Sequence, residues 1–198
     1  MDKQSSELAI IDPGDDAEAI ANKISEMNGQ PRYILITHGH FDHIGAVAKL
    51  SELTGLSCSI DKRDLALLQR APLYAMVLEK KEFIVPNDLS LFEGARSFHL
   101  GTSTIDAWHF PGHTPGSVCY NFGPGIFTGD TLLSEQMGST AWPGGNREQL
   151  TKSVDEITTR FADEAVLLPG HGGAWTLKAA RQWWQAAALD RVKEQGKP

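Results

Sequence analysis

The chain has only two cysteines, Cys58 and Cys119, in 198 residues. That is too few for a disulfide-built scaffold. No apolar run approaches the roughly 20 residues that span a bilayer. The polar start Met1-Asp2-Lys3-Gln4-Ser5-Ser6-Glu7 lacks the apolar segment of a secretory signal. Basic residues are also scarce. The 18 Lys and Arg stand against 25 Asp and Glu, leaving a net charge of -7. Nonspecific nucleic-acid binding needs a basic surface, so this balance counts against it. These absences together predict a cytoplasmic protein with no membrane or nucleic-acid partner. They say nothing against a small anionic substrate, because a bound cation can reverse the local field.

What remains is ordinary for a globular protein: 41% hydrophobic and 22% charged residues. The length predicts one domain over residues 1–198 with enough chain for a core. There is no linker, repeat or low-complexity tract. The first half alternates strand and helix. Leu8 to Ile11, Tyr33 to Thr37 and Ser57 to Ile60 read as strands. Asp15 to Met27, Ile44 to Leu53 and Lys62 to Gln69 read as helices by apolar spacing. Ala71 to Asn87 reads as a loop or short helix. In the second half, strands at 97–100, 105–109, 118–122 and 125–128 are divided by Gly and Pro. A helix over Arg147 to Arg160, a strand over Val166 to Leu168 and a helix from Thr176 to about Val192 complete the chain. The sum is an α/β fold, two mixed sheets between helices in a four-layer αββα sandwich.

Tyr33-Ile34-Leu35-Ile36 runs into Thr37-His38-Gly39-His40-Phe41-Asp42-His43. Imidazole and carboxylate donors this dense suit Zn²⁺, Fe²⁺ or Mn²⁺. His38 and His40 are two apart and share a face in extended backbone. Asp42 and His43 follow at the turn and can aim at a second point, so the segment can serve two metals. Three other strand-to-glycine turns present similar donors. They are Gly112-His113-Thr114, Gly129-Asp130-Thr131 and Gly170-His171-Gly172. His99 and His109 lie within strands and read as structural. Cys58 and Cys119 read as small core residues. Trp183 and Trp184 read as packing or, for one of them, a partner surface, and Lys178 and Arg181 as a solvated face.

In these motifs the chain resembles the metallo-β-lactamase superfamily, and within it the short, single-domain relatives of glyoxalase II (hydroxyacylglutathione hydrolase). Ile11-Asp12-Pro13-Gly14, Thr37 to Gly45, Pro111-Gly112-His113-Thr114-Pro115-Gly116-Ser117, Thr128 to Leu132 and Pro169-Gly170-His171-Gly172 carry the likeness in order. The resemblance implies two divalent metal ions, zinc first with iron or manganese as alternatives. His38, His40 and His113 would hold one, and Asp42, His43 and His171 the other, with Asp130 bridging. Asp12, Thr114 and Ser117 would stand behind these ligands. Water acidified by both cations would attack a thioester or ester, and Asp42 could accept a proton as well as bind metal.

The ends differ from the family pattern. The strand at Leu8 begins where relatives already have an extra hairpin, so an uncovered sheet edge is expected, and a homodimer could cover it. Beyond His171 there is about one helix where glyoxalase II has a glutathione-binding helical domain. Gly138-Ser139-Thr140-Ala141 stands where many relatives read Gly-Arg-(Ser/Thr)-Asp. Three other readings therefore stay open. One is a mononuclear iron persulfide dioxygenase using His38, His113 and Asp130. Another is a lactone or β-lactam hydrolase. The third is a truncated metal-binding protein without activity.

Overall fold

A computed structural model describes residues 1–195, with side chains through residue 187. The last three residues of the span assigned to one domain lie outside it. The first half contains β1 (Glu7–Ile11), α1 (Ala17–Glu26), β2 (Gln30–Leu35), α2 (Phe41–Ile44), α3 (Val47–Thr54), β3 (Cys58–Asp61), α4 (Leu65–Glu79) and β4 (Leu89–Phe92). After it come β5 (Arg96–Leu100), β6 (Ser103–His109), β7 (Val118–Asn121), β8 (Gly125–Gly129), β9 (Leu132–Leu133) and β10 (Gln136–Met137). The chain closes with α5 (Arg147–Arg160), β11 (Val166–Pro169), β12 (Trp175–Thr176) and α6 (Leu177–Gln195).

Strands β1 to β4 pair in sequence order into one sheet, parallel throughout. The second sheet runs β12-β11-β8-β7-β6-β5 and is mixed. Side-chain alternation builds the layers. Ile34 and Ile36 point to α3 and α4 and pack with Val47, Leu50 and Leu68. Leu35 points the other way and packs between the sheets with Phe98, Ile105, Val118 and Tyr120. Cys119 faces outward again, toward Leu150 and Val154 of α5 and Leu177 and Ala180 of α6. Each such buried aliphatic chain contributes about 1.5–3 kcal/mol. The result is the αββα sandwich, with both free cysteines buried in it.

Helix α4 and strand β4 depart from the sequence reading, as do the two-residue strands β9, β10 and β12. Helix α4 runs through Pro72 to Glu79, where a loop or short helix is expected. Pro72 removes one hydrogen bond from the helix interior, but Leu67, Leu68, Ala71 and Ala75 bury one face and hold it together. Strand β4, outside the set expected from sequence, adds in parallel to β3. Arg181 is not a solvated residue. Its Nε donates to the Thr158 carbonyl at 2.6 Å, and its guanidinium also reaches Phe161 and Asp163, closing the end of α5. Trp184 is buried and Trp183 half-buried, both packed on the second sheet's core.

Strand β1 is an outer strand of its sheet. Residues 1–6 fold back beside it as a turn organised by Asp2. That carboxylate accepts the N–H of Ser5 at 2.9 Å and the hydroxyl of Ser103 at 2.8 Å. The turn thereby ties the edge of the first sheet to the β5–β6 hairpin of the second. Among the described residues, no helix is long and apolar enough to cross a membrane.

Candidate metal centre

The candidate ligands leave the carboxyl ends of β2, β6, β8 and β11, and Asp12 that of β1, where loops of layered α/β folds gather function. Two backbone bonds align these ends. Val118 N–H donates to the Thr37 carbonyl across the sheets, and Gly170 N–H to the Gly129 carbonyl. Gly170 lies so close that a Cβ there would sit 2.4 Å from Asp130 Oδ1 and 2.5 Å from His43 Cε1. Glycine is required because the ligand turn packs directly on other ligands.

His38, His40 and His113 form one group in which one ring nitrogen from each lies within 4.8 Å of the other two. Asp42, His43 and His171 form a second by the same measure. Within the first, His113 Nε2 is 2.9 Å from His40 Nδ1. Within the second, His171 Nε2 is 3.1 Å from Asp42 Oδ2 and 3.3 Å from His43 Nε2. Asp130 lies between them, with Oδ2 3.7 Å from His113 Nε2 and 3.6 Å from His171 Nε2. Its Oδ1 is 3.5 Å from His43 Nε2. All seven residues singled out in the sequence therefore converge. Asp42 and His43 sit on the single turn of α2 rather than in irregular loop.

Hydrogen bonds behind the rings decide which nitrogen faces inward. Asp12 accepts the Thr37 N–H at 2.7 Å and the Thr37 hydroxyl at 2.6 Å. Having given its proton to Asp12, the hydroxyl accepts from His38 Nδ1 at 3.0 Å. This leaves the lone pair of His38 on Nε2. Asp12 Oδ2 also accepts from His43 Nδ1 at 3.0 Å, so His43 too presents Nε2. His113 Nδ1 donates to the Ser139 carbonyl at 2.7 Å, with the same outcome. Asp12 also lies within ligand range of His38 and His43, but its oxygens are taken by these three donors. It orients rings rather than facing the centre.

Thr114 and Ser117 act at one remove. The Ser117 hydroxyl accepts the Thr114 N–H at 3.0 Å, and the Thr114 hydroxyl donates to Asp64 Oδ2 at 2.7 Å. Asp64 did not stand out in the sequence. It is fully buried, and it also accepts the N–H of Gly39 at 2.9 Å and of Gly116 at 2.6 Å. It thus ties the His38–His40 segment to the His113 turn. Its position just past β3, a parallel strand of the site's own sheet, was the available signal. His109, read as structural, holds the same turn from the other side through Nε2 and the Pro115 carbonyl at 2.9 Å.

The electrostatics suit a cation. Burial, followed by neighbouring His113, pulls His40 down to about 3. Burial likewise pulls His38 well below the usual histidine range. Both rings are therefore neutral donors near pH 7. Burial alone would lower His43 as well, but the Asp12 hydrogen bond and the charges of Asp12, Asp130 and Asp42 carry it up to about 9. Carboxylates that hold a proton on His43 also attract a divalent cation, which would displace that proton. His38 Nε2 and Asp130 Oδ1 are buried without a hydrogen-bond partner. Unpaired buried polar atoms are costly unless something cationic collects them. The residues therefore fit divalent metal.

The profile described as "Metallo-beta-lactamase superfamily" matches residues 3–171. The hydroxyacylglutathione hydrolase GloC of Haemophilus influenzae is 31% identical over 85% of this chain and 82% of its own. The crystal structure of BLEG-1 B3 metallo-beta-lactamase superposes with a TM-score of 0.84 at 29% identity, covering 92% of this chain and 89% of that one. TTHA1623 in a di-iron-bound form superposes with a TM-score of 0.77 at 32% identity, covering 85% and 84%.

Proposed function

The chain belongs to the metallo-beta-lactamase superfamily, and on that premise we propose that it hydrolyses an acyl thioester at a two-metal site. It is a metallo-hydrolase with a His-rich metal site. The observation that carries the finer reading is the pair of donor groups on either side of Asp130, each with three donors. In this reading His38, His40 and His113 would hold one cation and Asp42, His43 and His171 the other, with Asp130 available to both. Zinc suits the imidazole-rich donor set, and iron is the alternative that the di-iron relative supports. Bound metals supply Lewis acidity and lower the pKa of water.

The chain's own residues do the rest. Asp12, through Thr37 and His43, holds two rings with Nε2 inward. The Ser139 carbonyl does the same for His113. Asp42, one-third exposed at the mouth, is placed to take the proton released as water attacks. The thioester C–S bond breaks, a C–O bond forms, and the thiol leaves with one proton. The similarity to GloC supports a thioester over other acyl bonds.

Metal analysis by mass spectrometry, paired with thioester, lactone and β-lactam panels, tests the reading. Two metals per chain with thioester turnover are expected. His113→Ala should lose one metal and reduce turnover at least 100-fold, on the order of the effect of a lost catalytic group. Full activity in that variant, preference for a β-lactam or lactone, or one iron with oxygen uptake would overturn it.

A further inference from the structure

A cavity of about 420 Å³ opens onto the donor cluster. Its lining joins His40, Asp42, His113, Asp130 and His171 to the apolar and aromatic Phe41, Tyr74, Leu78, Leu133 and Trp142. Tyr74 and Leu78 are one turn apart on α4 and so share a face. The Tyr74 ring meets Trp142 edge-on at 5.7 Å, and Trp142 meets His40 at 6.2 Å. An aromatic wall therefore runs from α4 to a site histidine. On the same helix Leu73 and Val77 are 62% and 68% exposed.

Charge gives the second observation. Among the described residues no lysine or arginine lines the cavity, whereas Glu79 does. The nearby Lys81 is already paired with Asp15 at 2.8 Å and Glu79 at 3.2 Å. A thiol carrier with free carboxylates, as in glutathione, would find no cationic side chain among the described residues that line this cavity.

We propose that Tyr74, Leu78, Leu133 and Trp142 form an acyl pocket, selecting thioesters with an apolar acyl arm of several carbons over small hydroxyacyl-glutathiones. The proposal rests on the thioesterase reading. An alkyl chain seated here removes apolar surface from water on both partners while its carbonyl stays beside the donor cluster. Each methylene that fits adds to discrimination, so chain length is the readout.

The test uses zinc-loaded protein and acetyl, butyryl, hexanoyl and octanoyl thioesters of N-acetylcysteamine, a neutral thiol, alongside lactoylglutathione. The kcat/KM should rise about tenfold or more from acetyl to hexanoyl, and hexanoyl should exceed lactoylglutathione. Leu78→Gln, at a half-exposed helical position that tolerates a polar residue, should cut the hexanoyl-to-acetyl ratio about tenfold. Calorimetric binding of the thioether S-hexyl-N-acetylcysteamine separates the pocket from the chemistry. Turnover with no dependence on chain length, or a preference for lactoylglutathione, overturns the pocket and leaves the thioesterase reading. Thioether binding that Leu78→Gln weakens, with no thioester turned over, retains the pocket and overturns the thioesterase reading. Neither binding nor turnover overturns both.

Discussion

Asp64 Oδ2 accepts the backbone N–H of Gly39 at 2.9 Å, in the one-residue gap between His38 and His40. The same carboxylate holds the turn after His113 through Gly116 and Thr114. A single buried side chain thereby sets the distance between the two segments that supply the first donor group. Removing it leaves the N–H groups of Gly39 and Gly116 without this acceptor, at about 1–3 kcal/mol each. Asp64→Ala is expected to lower the melting temperature and to weaken zinc binding about 10- to 100-fold, the usual cost of losing a group that orients ligands. Chelator competition measures the affinity. A variant with a lower melting temperature but native zinc affinity would limit Asp64 to a structural role.

Asp12 serves the second donor group more directly, because it fixes His43 Nδ1 at 3.0 Å and His38 through Thr37. In Asp12→Ala both rings are free to turn. Metal content per chain is expected to fall from two toward one at limiting zinc, with affinity reduced about 10- to 100-fold. Two tightly held metals in the variant would refute the orienting role.

Gly112 precedes His113 with φ of +131°, and a Cβ there would lie 2.1 Å from the backbone nitrogen of Leu150. Gly112→Ala must push the His113 turn off helix α5 or strain both. Strain and overpacking of this kind cost about 1–3 kcal/mol each. A fall in melting temperature together with weakened metal binding is expected. Calorimetric scanning with and without zinc reads both.

The N-terminal turn gives a pH test away from the donor cluster. The N–H of Ser5, then the hydroxyls of Ser103 and Ser5, hold the Asp2 carboxyl well below its ordinary value of 3.8. A carboxyl depressed by folding stabilises above its unfolded pKa and loses that contribution as pH falls toward its folded pKa. Wild type should therefore melt above Asp2→Asn at neutral pH. The gap should narrow below about pH 3.8. A gap that stays constant down to pH 3 would show that the carboxylate charge contributes nothing.

Legibility in the sequence followed the range of the physics. The strands around Ile34, Cys119 and Ile126 are readable because an apolar run bounded by Gly or Pro is a local property. Helix α4 was only half readable. Pro72 argues for a break, and only the burial of Leu68 and Ala71 against the first sheet, with Ala75 also buried, outweighs it. Because that helix was uncertain, Tyr74 and Leu78 had no place, and the apolar wall of the cavity could not be anticipated. Asp64 was hidden for a related reason. An aspartate at the end of a strand commonly serves as a turn former, and its three donors come from segments far along the chain.

The sequence by itself determined the donor set. His38, His40, Asp42, His43, His113, Asp130 and His171 are recognisable from residue type, spacing and glycine turns, all carried by short stretches of chain. Only the tertiary structure decided which nitrogen of each ring faces inward. That choice depends on Asp12 reaching Thr37 and His43, 25 and 31 residues away, and on the Ser139 carbonyl 26 residues from His113. It also decided that the donors share a cavity with an aromatic wall and, among the described residues, no lysine or arginine, since Tyr74 and Trp142 meet only when α4 and the loop before α5 pack over the same mouth. Donor chemistry is a property of single residues. Tautomer, orientation and pocket polarity are properties of contacts between distant ones, and these form only when the chain folds.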